Sequence, residues 1–468
     1  MNGIRYRRLV AFALVAGIGL TSAACSDSND KKNDGGSKTS SSSAGTPLDP
    51  KTKVTISVDC MPPTTKKPER KQWLDDVAEF HKTYPNVTIN SKDAFPCEET
   101  DKFTAQLQGG SETDAFYSYV TDLQQVLDAG QAADITDYVN DKTVPNLKDI
   151  DPGVLDILKD DGRLYGLPTT NYSMGLIYNR KIFTEAGLDP NKPPTTWDEI
   201  RTDAKQIQDK LGSKGVHGFF EYGAGSQGGW HLTSALYGAG NTVVDDSGSK
   251  VNFNGPEAKQ ILQTIHDMRW VDNSMPQSAG KEWGESQKAM GAGQIGMYLA
   301  APDDIQLMVQ QYGANFDDLG MAPIPGGKTS LMGGNDYFFK KSDTPDQIKA
   351  GIAWINFKFL TLKKGQFNYA RNKADGIPVG LPQPFFFTGQ SKATDTADKT
   401  QYATVPVENY KSYVDAQVPV KGEPPNAQKL YTVLDTVMSG VLSNKNADID
   451  KLLSSAETQA NQLLAASQ

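Results

Sequence analysis

The chain has 468 residues, with 56 acidic and 47 basic side chains and a formal net charge of −9. This length exceeds what one hydrophobic core normally organises, so we expect at least two lobes. The acidic surplus argues against a nucleic-acid-binding protein, for which a clustered basic face is expected, and it weakly disfavours anionic ligands.

Residues 1–24 have the layout of a secretory signal peptide. Three arginines precede an apolar run over residues 9–20, and small residues follow it. The apolar run is too short to span a bilayer as a permanent helix. Removing this segment takes away three arginines and no acids, which leaves 44 basic against 56 acidic residues and a net charge of −12.

Cys25 is the predicted lipid anchor. Residues 22–25, Ser-Ala-Ala-Cys, resemble a bacterial lipobox, in which the cysteine after the cleavage site carries a diacylglycerol. A lipobox usually has leucine where Ser22 stands, and the alternative is ordinary cleavage that leaves Cys25 as an incidental thiol. Residues 25–50 are then the lipidated cysteine and a polar linker without apolar periodicity, which we expect to be a disordered tether.

From residue 52 onward, short apolar strands alternate with helical patterns, which predicts a parallel, doubly wound sheet. Ligands of such sheets lie beyond the carboxyl ends of the strands. Asp59, Tyr119 and Asp122 follow predicted strands or end them, so we expect them at one rim of a binding site. The alternative for the tyrosine is a core or surface position.

Cys60 and Cys97 are the cysteines left after Cys25. Each follows a predicted strand of the same parallel sheet, so both would emerge at one edge, and an exported location permits a disulfide between them. Two free thiols are the alternative. A metal site is disfavoured because neither a C-x-x-C spacing nor paired histidines accompany the cysteines.

Residues 161–188, DGRLYGLPTTNYSMGLIYNRKIFTEAGL, separate this first unit from a second one. They predict a short hairpin, a proline-stiffened link over residues 168–172, a strand, and a helix that Gly187 caps. The link is the predicted crossing between two lobes. Its Asn171 and Tyr172 are therefore candidate ligand contacts.

A series of motifs from this point on resembles the extracellular solute-binding proteins of bacterial ABC importers, in particular the carbohydrate-binding subgroup that includes the maltodextrin-binding proteins. The series runs G-x-L-Y-G-L-P, G-L-I-Y-N-R-K-I-F, A-G-L with P-P-T-T-W-D-E-I, Q-K-A-M-G-A-G-Q-I-G-M, A-P-I-P-G-G and G-G-N. The resemblance covers about residues 52–465. It implies a two-lobed, periplasmic-binding-protein-like α/β fold with doubly wound sheets in each lobe, joined by a hinge. Such a protein closes on a sugar or oligosaccharide and delivers it to a membrane permease.

The predicted lobes are discontinuous. Residues 52–168 with about 302–340 form lobe 1, and residues 169–301 with about 341–468 form lobe 2. The return crossing between them is predicted at residues 300–304, where a strand ends in small residues, proline and two acids.

Trp230 is the first candidate ligand contact of the second lobe, because the resemblance places a stacking aromatic there; the alternative is a buried tryptophan at a helix start. Asp303 lines the cleft by resemblance, although it or Asp304 could instead cap the following helix. The remaining candidates are Trp283, Asn335 and Tyr337.

A surface-anchored polysaccharide hydrolase is the main alternative. Ser226 lies in a near match to G-x-S-x-G with His231 five residues on, and Glu282 with Glu285 resembles the paired carboxylates of glycosidases. Such spacing more often marks a solvated helix face. We therefore expect a binding protein without catalytic residue, cofactor or metal, which works as a monomer on the extracellular face of the cell membrane. A further alternative is a binding lipoprotein for a peptide or metal chelate.

Overall fold

Two mixed β-sheets organise the described part of the chain, which comprises residues 44–96, 99–245 and 248–466 of this computed structural model. The predicted signal peptide, Cys25, Cys97 and most of the predicted linker lie outside the described residues. The lipidation and the disulfide therefore stay predictions. Cys60 is buried at the end of the first strand, with φ of 63° and its Sγ 3.5 Å from the Ala94 carbonyl oxygen.

The strands, in chain order, are β1 (Val54–Val58), β2 (Val87–Ser91), β3 (Ala115–Tyr119), β4 (Lys159–Asp160), β5 (Arg163–Leu164), β6 (Gly166–Ser173), β7 (Gly175–Asn179), β8 (His217–Phe219), β9 (Ile295–Ala300), β10 (Leu319–Pro323), β11 (Ser330–Phe339) and β12 (Val420–Gly422).

The helices are α1 (Lys67–Thr83), α2 (Thr100–Gly109), α3 (Leu123–Asp128), α4 (Pro152–Leu155), α5 (Arg180–Ala186), α6 (Trp197–Leu211), α7 (Gln227–Gly238), α8 (Pro256–Trp270), α9 (Glu285–Gly291), α10 (Asp303–Tyr312), α11 (Pro345–Ile355), α12 (Tyr369–Ala374), α13 (Gly389–Tyr402), α14 (Lys411–Ala416), α15 (Ala427–Ser443) and α16 (Ile449–Ala465).

The first lobe contains the sheet with strand order β12-β11-β3-β1-β2, and β6 also pairs with β11. β1 is parallel to both β2 and β3, as the alternating pattern predicts, whereas β11 is antiparallel to β3 and β6. Helices α1 and α11 cover one side because their apolar stripes meet, with the rings of Trp73 and Phe80 both edge-on to Trp354. This sheet and its helices have their own apolar core.

The second lobe contains the sheet β10-β7-β9-β8, in which only β8 and β9 run parallel. Local signals of the sequence are confirmed here. Gly187 ends α5 with φ of 80°, and Thr196 with Glu199 forms the predicted capping box of α6. Helices α6, α7, α8, α15 and α16 pack into one apolar core on this sheet.

Within the described ranges the chain passes between the lobes repeatedly, and three of these crossings come before β12, which itself returns to the first sheet. β6 belongs to the first sheet and β7 to the second, so the first crossing lies at Ser173–Gly175, immediately after the predicted link over residues 168–172. β11 makes the second crossing, because Leu331 lies in the core of the second lobe and Met332 in that of the first. The third lies between Phe387 and Val405 and contains α13.

The later segments therefore divide differently from the predicted lobes. Helix α10 and strand β10 stay with the second lobe, because Ile305 and Met308 pack against Leu319 and Met321 beneath its sheet. Residues 345–369 and the pair Phe386 and Phe387 pack in the first lobe, whereas Leu381 between them packs against the second-lobe core. The return to the first lobe lies within β11, between Leu331 and Met332, and not at residues 300–304. After β9 the chain continues through Pro302 into α10 of the same lobe, because the apolar face of α10 packs against that lobe's core.

Along the described ranges, no helix combines the length and apolarity that crossing a membrane requires.

Candidate functional site

Strand β6 presents two different faces where it leaves the first lobe. Successive side chains of a strand point to opposite sides. Thr170 and Tyr172 are half-buried, whereas Thr169, Asn171 and Ser173 are buried. The half-buried face therefore opens towards the space between the lobes.

Tyr172 is the centre of this open face. Its ring lies edge-on to Trp230 of α7 with centroids 6.4 Å apart, and its hydroxyl donates to Glu423 Oε1 at 3.4 Å. The ring crosses β11 at Gly333, where a Cβ atom would lie only 2.3 Å from the Tyr172 hydroxyl. The first glycine of the G-G-N motif thus makes room for this tyrosine.

The glycine-rich loop before α7 positions Trp230. Ser226 adopts φ of 63°, and the Asp435 carboxylate accepts hydrogen bonds from the Ser226 and Gly229 amides at 2.6 and 2.9 Å. A Cβ atom at Gly229 would lie 2.2 Å from the Tyr431 carbonyl oxygen, so only glycine allows α7 and α15 to pack this closely. The glycines therefore serve helix packing, and the half-buried indole of Trp230 is left at the edge of that interface.

Behind Trp230, the buried His231 ring holds the start of α7. Its Nδ1 lies 2.6 Å from Glu221 Oε1, and Glu221 also accepts the Tyr222 amide at 2.9 Å. The His231 ring is 5.5 Å from the Trp230 ring. This buried contact fixes the start of α7 beneath the half-buried Trp230.

Acidic side chains from both lobes surround Tyr172. Burial raises the pKa of Asp122 in the first lobe to about 6. Burial and then the charge of Asp122 raise the pKa of Glu423 to about 7. Burial raises the pKa of Asp303, and burial followed by the charges of Glu423 and Asp303 raises the pKa of the Tyr172 hydroxyl well above its usual value. These groups therefore share one weakly solvated space.

Asp336 adds a further acid beneath this space. Its carboxylate is fully buried with no hydrogen-bond partner among the described residues, and burial together with the Asp122 charge raises its pKa well above the usual range. Across the described ranges, no lysine or arginine lowers the pKa of Asp122, Asp303, Asp336 or Glu423. The site is thus acidic without a neutralising cation of its own.

Tyr119 and Asn335 share the open face of the first sheet. Asn335 pairs with Tyr119 of β3 and with Thr170 of β6, and directly paired residues of antiparallel strands point to the same side. Tyr119 is 37% exposed and contributes to the raised pKa of Tyr172. The structure therefore brings together Tyr119, Asp122, Tyr172, Trp230, Asp303 and Asn335 from the predicted set; together with Glu423 they form what we call the open site.

Three predicted contacts lie in the interior instead. The Tyr337 hydroxyl donates to the Asp59 carbonyl oxygen at 2.9 Å, and its ring stacks on Phe359 at 5.5 Å. Asp59 is 3% exposed, and burial raises its pKa to about 6. Asn171 points to the opposite side of β6 and donates to the Phe385 carbonyl oxygen at 3.4 Å.

Trp283 is 53% exposed in the loop before α9. That loop packs against the one before α7, since a Cβ atom at Gly225 would lie 2.4 Å from the Lys281 carbonyl oxygen. Trp283 therefore lies beside the loop that carries Trp230, and its contact with a ligand stays a prediction.

Neither Asp303 nor Asp304 caps α10, whose N-cap is Pro302. Both acids lie in the first turn, where the helix dipole favours negative charge. Asp304 is buried and accepts hydrogen bonds from Gln287 at 2.8 Å and Tyr298 at 2.9 Å, so it belongs to the interior and Asp303 to the site.

The groups of the hydrolase alternative serve structural contacts. Ser226 Oγ lies 3.3 Å from Thr432 Oγ1, and the histidine it would need is engaged by Glu221. Glu285 accepts the Lys281 and Glu282 amides, both at 3.2 Å, and so closes its own loop. No group of three histidine, cysteine, aspartate or glutamate side chains in the described ranges could hold a metal ion.

Sequence reasoning missed Glu423, Tyr431 and Asp435. Glu423 follows β12, and the backbone there is held by the Tyr237 hydroxyl, which donates to the Gly422 carbonyl oxygen at 3.2 Å. Tyr431 lies on α15 beside Glu423, and burial, followed by the negative charge of Glu423, raises the pKa of its hydroxyl. No local pattern marks these residues, because Glu423 reaches the site only when β12 pairs with β11, and Tyr431 and Asp435 only when α15 packs on α7.

The model of the bacterial extracellular solute-binding protein family matches residues 65–367. The chain belongs to this family. It is a solute-binding protein of ABC transporters, and the family resemblance of its motifs is confirmed. Among curated relatives, this solute-binding protein is 24% identical over 309 residues to a binding protein of Brucella abortus, covering 63% of this chain and 69% of the relative. It is 27% identical over 233 residues to the sn-glycerol-3-phosphate-binding periplasmic protein UgpB of Brucella melitensis, covering 48% of this chain and 51% of that one.

Solved structures confirm the two-lobed fold of this solute-binding protein. A cyclic alpha-maltosyl-1,6-maltose binding protein from Arthrobacter globiformis superposes with a TM-score of 0.68 at 21% identity, covering 88% of this chain and 99% of that one. The sugar-binding protein MalE from Xanthomonas citri gives 0.68 at 17% identity, covering 88% and 98%. UgpB from Mycobacterium tuberculosis, in complex with glycerophosphocholine, gives 0.66 at 15% identity, covering 88% and 99%.

Proposed function

We propose that this protein captures a neutral sugar or oligosaccharide between its lobes and delivers it to a membrane permease. The observation that carries the proposal is the aromatic pair of Tyr172 and Trp230 beside the carboxylate of Glu423. Aromatic rings offer flat apolar faces that match the C–H faces of sugar rings, and carboxylates accept hydrogen bonds from sugar hydroxyls. The sugar-binding proteins among the similar structures support this cargo.

Capture would use hinge closure. Tyr119 and Asp122 come from the first lobe and Trp230 and Asp303 from the second, while Glu423 follows β12, which pairs with the connecting strand β11. A ligand that touches both sets binds the closed state better than the open one and shifts the population towards it. Asp122 already accepts a hydrogen bond from Ser118 Oγ at 3.0 Å and Glu423 one from Tyr172 at 3.4 Å, and closure on a sugar would add further donors to both.

Glycerol phosphate is the second candidate cargo, because the similarity to UgpB proteins favours it. The charges of the site favour the sugar. A phosphate group would face several acids, and no described lysine or arginine offsets their charge. Hydroxyl groups can donate to the same acids without repulsion.

The location belongs to the same proposal. The apolar segment over residues 9–20 and the lipobox-like residues before Cys25 support export and a diacylglycerol anchor on the extracellular face of the membrane. A polar tether of about 25 residues has a root-mean-square reach of about 25 to 30 Å, so an anchored monomer could still meet its permease.

A thermal-shift screen of the mature chain, residues 26–468, tests the cargo. The panel contains monosaccharides, linear and cyclic oligosaccharides, polyols, glycerol phosphate, peptides and metal chelates. A ligand at a hundredfold its dissociation constant adds about 2.7 kcal/mol to the free energy of unfolding. We expect one class of sugar to raise the melting temperature without being converted to a product. A shift with glycerol phosphate or a peptide and none with sugars would overturn the proposed cargo. Formation of a product would support the hydrolase alternative instead.

A further inference from the structure

Three carboxylates of the open site are not neutralised by the fold. Among the described residues, no positive charge contributes to the pKa of Asp122, Asp303 or Glu423. Lys421 stands two residues before Glu423 on β12, but its side chain is exposed and leaves the pKa of Glu423 unaffected. The negative charge of the site therefore faces the space in which a ligand binds.

These carboxylates have oxygens that a ligand can reach. Asp122 and Glu423 each use one oxygen in hydrogen bonds within the described ranges, Oδ2 of Asp122 and Oε1 of Glu423. Their remaining oxygens, Oδ1 and Oε2, accept no hydrogen bond there, yet they are not enclosed by protein as the oxygens of Asp336 are. Asp303 is exposed in the first turn of α10. Each of the three acids thus offers an acceptor to a bound molecule.

Aromatic rings stand beside these acceptors. The ring centroids of Tyr172 and Trp230 are 6.4 Å apart, both side chains are half-buried, and Tyr119 is 37% exposed. A cation is attracted to the face of an aromatic ring, most strongly to that of tryptophan. The same rings offer apolar faces to the C–H groups of a sugar. The site therefore combines groups that bind a sugar ring with groups that bind a positive charge.

We propose that the open site also binds sugars that carry a protonated amino group, and that it binds them more tightly than neutral sugars of the same shape. The inference rests on the proposed position of the sugar between the lobes. The ammonium group donates to Glu423 Oε2 while the sugar ring packs against Trp230. It supplies the positive charge that the site lacks, and a charge-assisted hydrogen bond is roughly twice as strong as one between neutral groups.

Binding of the ammonium group should also release protons. Burial raises the pKa of Asp122 to about 6 and, together with the charge of Asp122, that of Glu423 to about 7, so both carboxyls are partly protonated near pH 6.5. A nearby positive charge favours the ionised carboxylate and lowers its pKa. The other titratable groups that face Glu423 have raised pKa values and stay neutral at this pH; they are Tyr172 of β6, Tyr237 of α7 and Tyr431 of α15.

Titration calorimetry of the mature chain, residues 26–468, near pH 6.5 tests the inference with three matched pairs of probes. The pairs are glucosamine with glucose, galactosamine with galactose, and 6-amino-6-deoxymaltose with maltose. We expect at least one amino sugar to bind about 5- to 20-fold more tightly than its neutral partner. Titrations in two buffers of different ionisation enthalpy give the protons released, and the amino sugar should release about half a proton more per molecule bound.

Glu423→Gln should lower the preference for the amino sugar at least about threefold and remove most of the additional proton release, because glutamine keeps the shape of the side chain without its charge. Asp303→Asn changes an exposed position and should lower the preference about twofold. Glu185→Gln, exposed on α5, is the matched control and should change neither quantity. Trp230→Ala should weaken both members of a pair.

The inference is overturned if no amino sugar binds more tightly than its neutral partner, or if neither Glu423→Gln nor Asp303→Asn lowers the preference. Neutral sugars that bind while their amino analogues do not would overturn it and leave the proposed cargo standing. Amino sugars that bind and lose affinity in Glu423→Gln, with no neutral sugar binding, would support it and contradict the neutral cargo.

Discussion

Buried acidic side chains occur in two different environments in this protein. Asp76 of α1 is 2% exposed, and Lys358 and Arg371 both contact its carboxylate, with Lys358 Nζ at 2.7 Å. Asp122 and Glu423 at the open site have no such cation, and their pKa values rise to about 6 and about 7.

The difference separates structural from functional acids. A paired buried charge is neutralised within the fold. Removing it leaves its buried partners without a counter-charge, which lowers the free energy of unfolding. A buried acid without a neighbouring cation destabilises the ligand-free protein when it ionises. Such acids are found preferentially at functional sites. The four predictions below run from the largest expected effect to the smallest.

Asp76→Asn should destabilise the protein by about 3 to 5 kcal/mol, because it leaves two buried cations without their carboxylate. Urea unfolding measures this loss. Asp75→Asn is the matched control. Asp75, next to Asp76 on α1, makes only an exposed ion pair with Lys71, so this substitution should cost less than about 1 kcal/mol. Equal losses for the two variants would remove the distinction between paired and exposed acids. Sugar affinity should be unchanged in both.

Trp230→Ala should weaken sugar binding about 10- to 100-fold, because one face of the sugar loses its aromatic contact. Titration calorimetry with the sugar found by the thermal-shift screen gives the affinity. Trp230→Phe should retain part of it, since a smaller flat ring remains. If both variants bind as the wild type does, Trp230 is not part of the site.

Glu423→Gln should change the pH dependence of stability. The folded pKa of Glu423, about 7, lies above its ordinary value of 4.5, so the folded state binds the proton more tightly. Its contribution to stability therefore falls as the pH rises from about 4.5 to 7. Glutamine does not titrate, so the variant should lose less stability over this interval than the wild type.

Melting temperatures measured between pH 4.5 and 8 provide the test of Glu423, with the exposed Glu185→Gln as control. A variant curve parallel to the wild type would contradict the unpaired environment of Glu423. We also expect sugar affinity to fall about fivefold, the effect of replacing one charge-assisted acceptor by a neutral one.

Tyr410→Phe should leave the free energy of unfolding unchanged or raise it by up to about 1 kcal/mol, because the lost hydroxyl has no partner. Tyr413→Phe is the matched variant. The Tyr413 hydroxyl donates to the Ser173 carbonyl oxygen at 2.8 Å, so its loss should cost about 1 kcal/mol. Urea unfolding of both variants gives the comparison, and a larger loss for Tyr410→Phe would show that its hydroxyl is paired.

The sequence predicted local structure and the two-lobed fold well, because both depend on short-range signals. The capping box at Thr196 and Glu199 and the glycine end of α5 follow from hydrogen bonds within a few residues. The ordered motifs identified the family and placed Tyr172 and Trp230 in one region. Proline and strand alternation mark residues 168–172 as the predicted link, and its role as a hinge stays a prediction, although β6 and β7 do belong to different sheets.

The rest depends on packing between distant segments. Glu423 joins the site only because β12 pairs with β11, and Trp230 is oriented only because Asp435 of α15 caps the loop before α7. The assignment of α10 to the second lobe likewise depends on an apolar face whose partner strand lies further along the chain. Tyr337 and Tyr119 are tyrosines of neighbouring strands on the same side of the sheet, yet Tyr337 is buried and Tyr119 is exposed. The local sequence does not predict this difference in burial.

A crystal structure of the mature chain with its sugar tests the central claim most directly. We predict a sugar ring against Trp230 and Tyr172, hydroxyl groups donating to Glu423 and Asp122, and a closed arrangement of the two lobes. A sugar bound elsewhere, with Trp230 and Glu423 untouched, would contradict the proposed site.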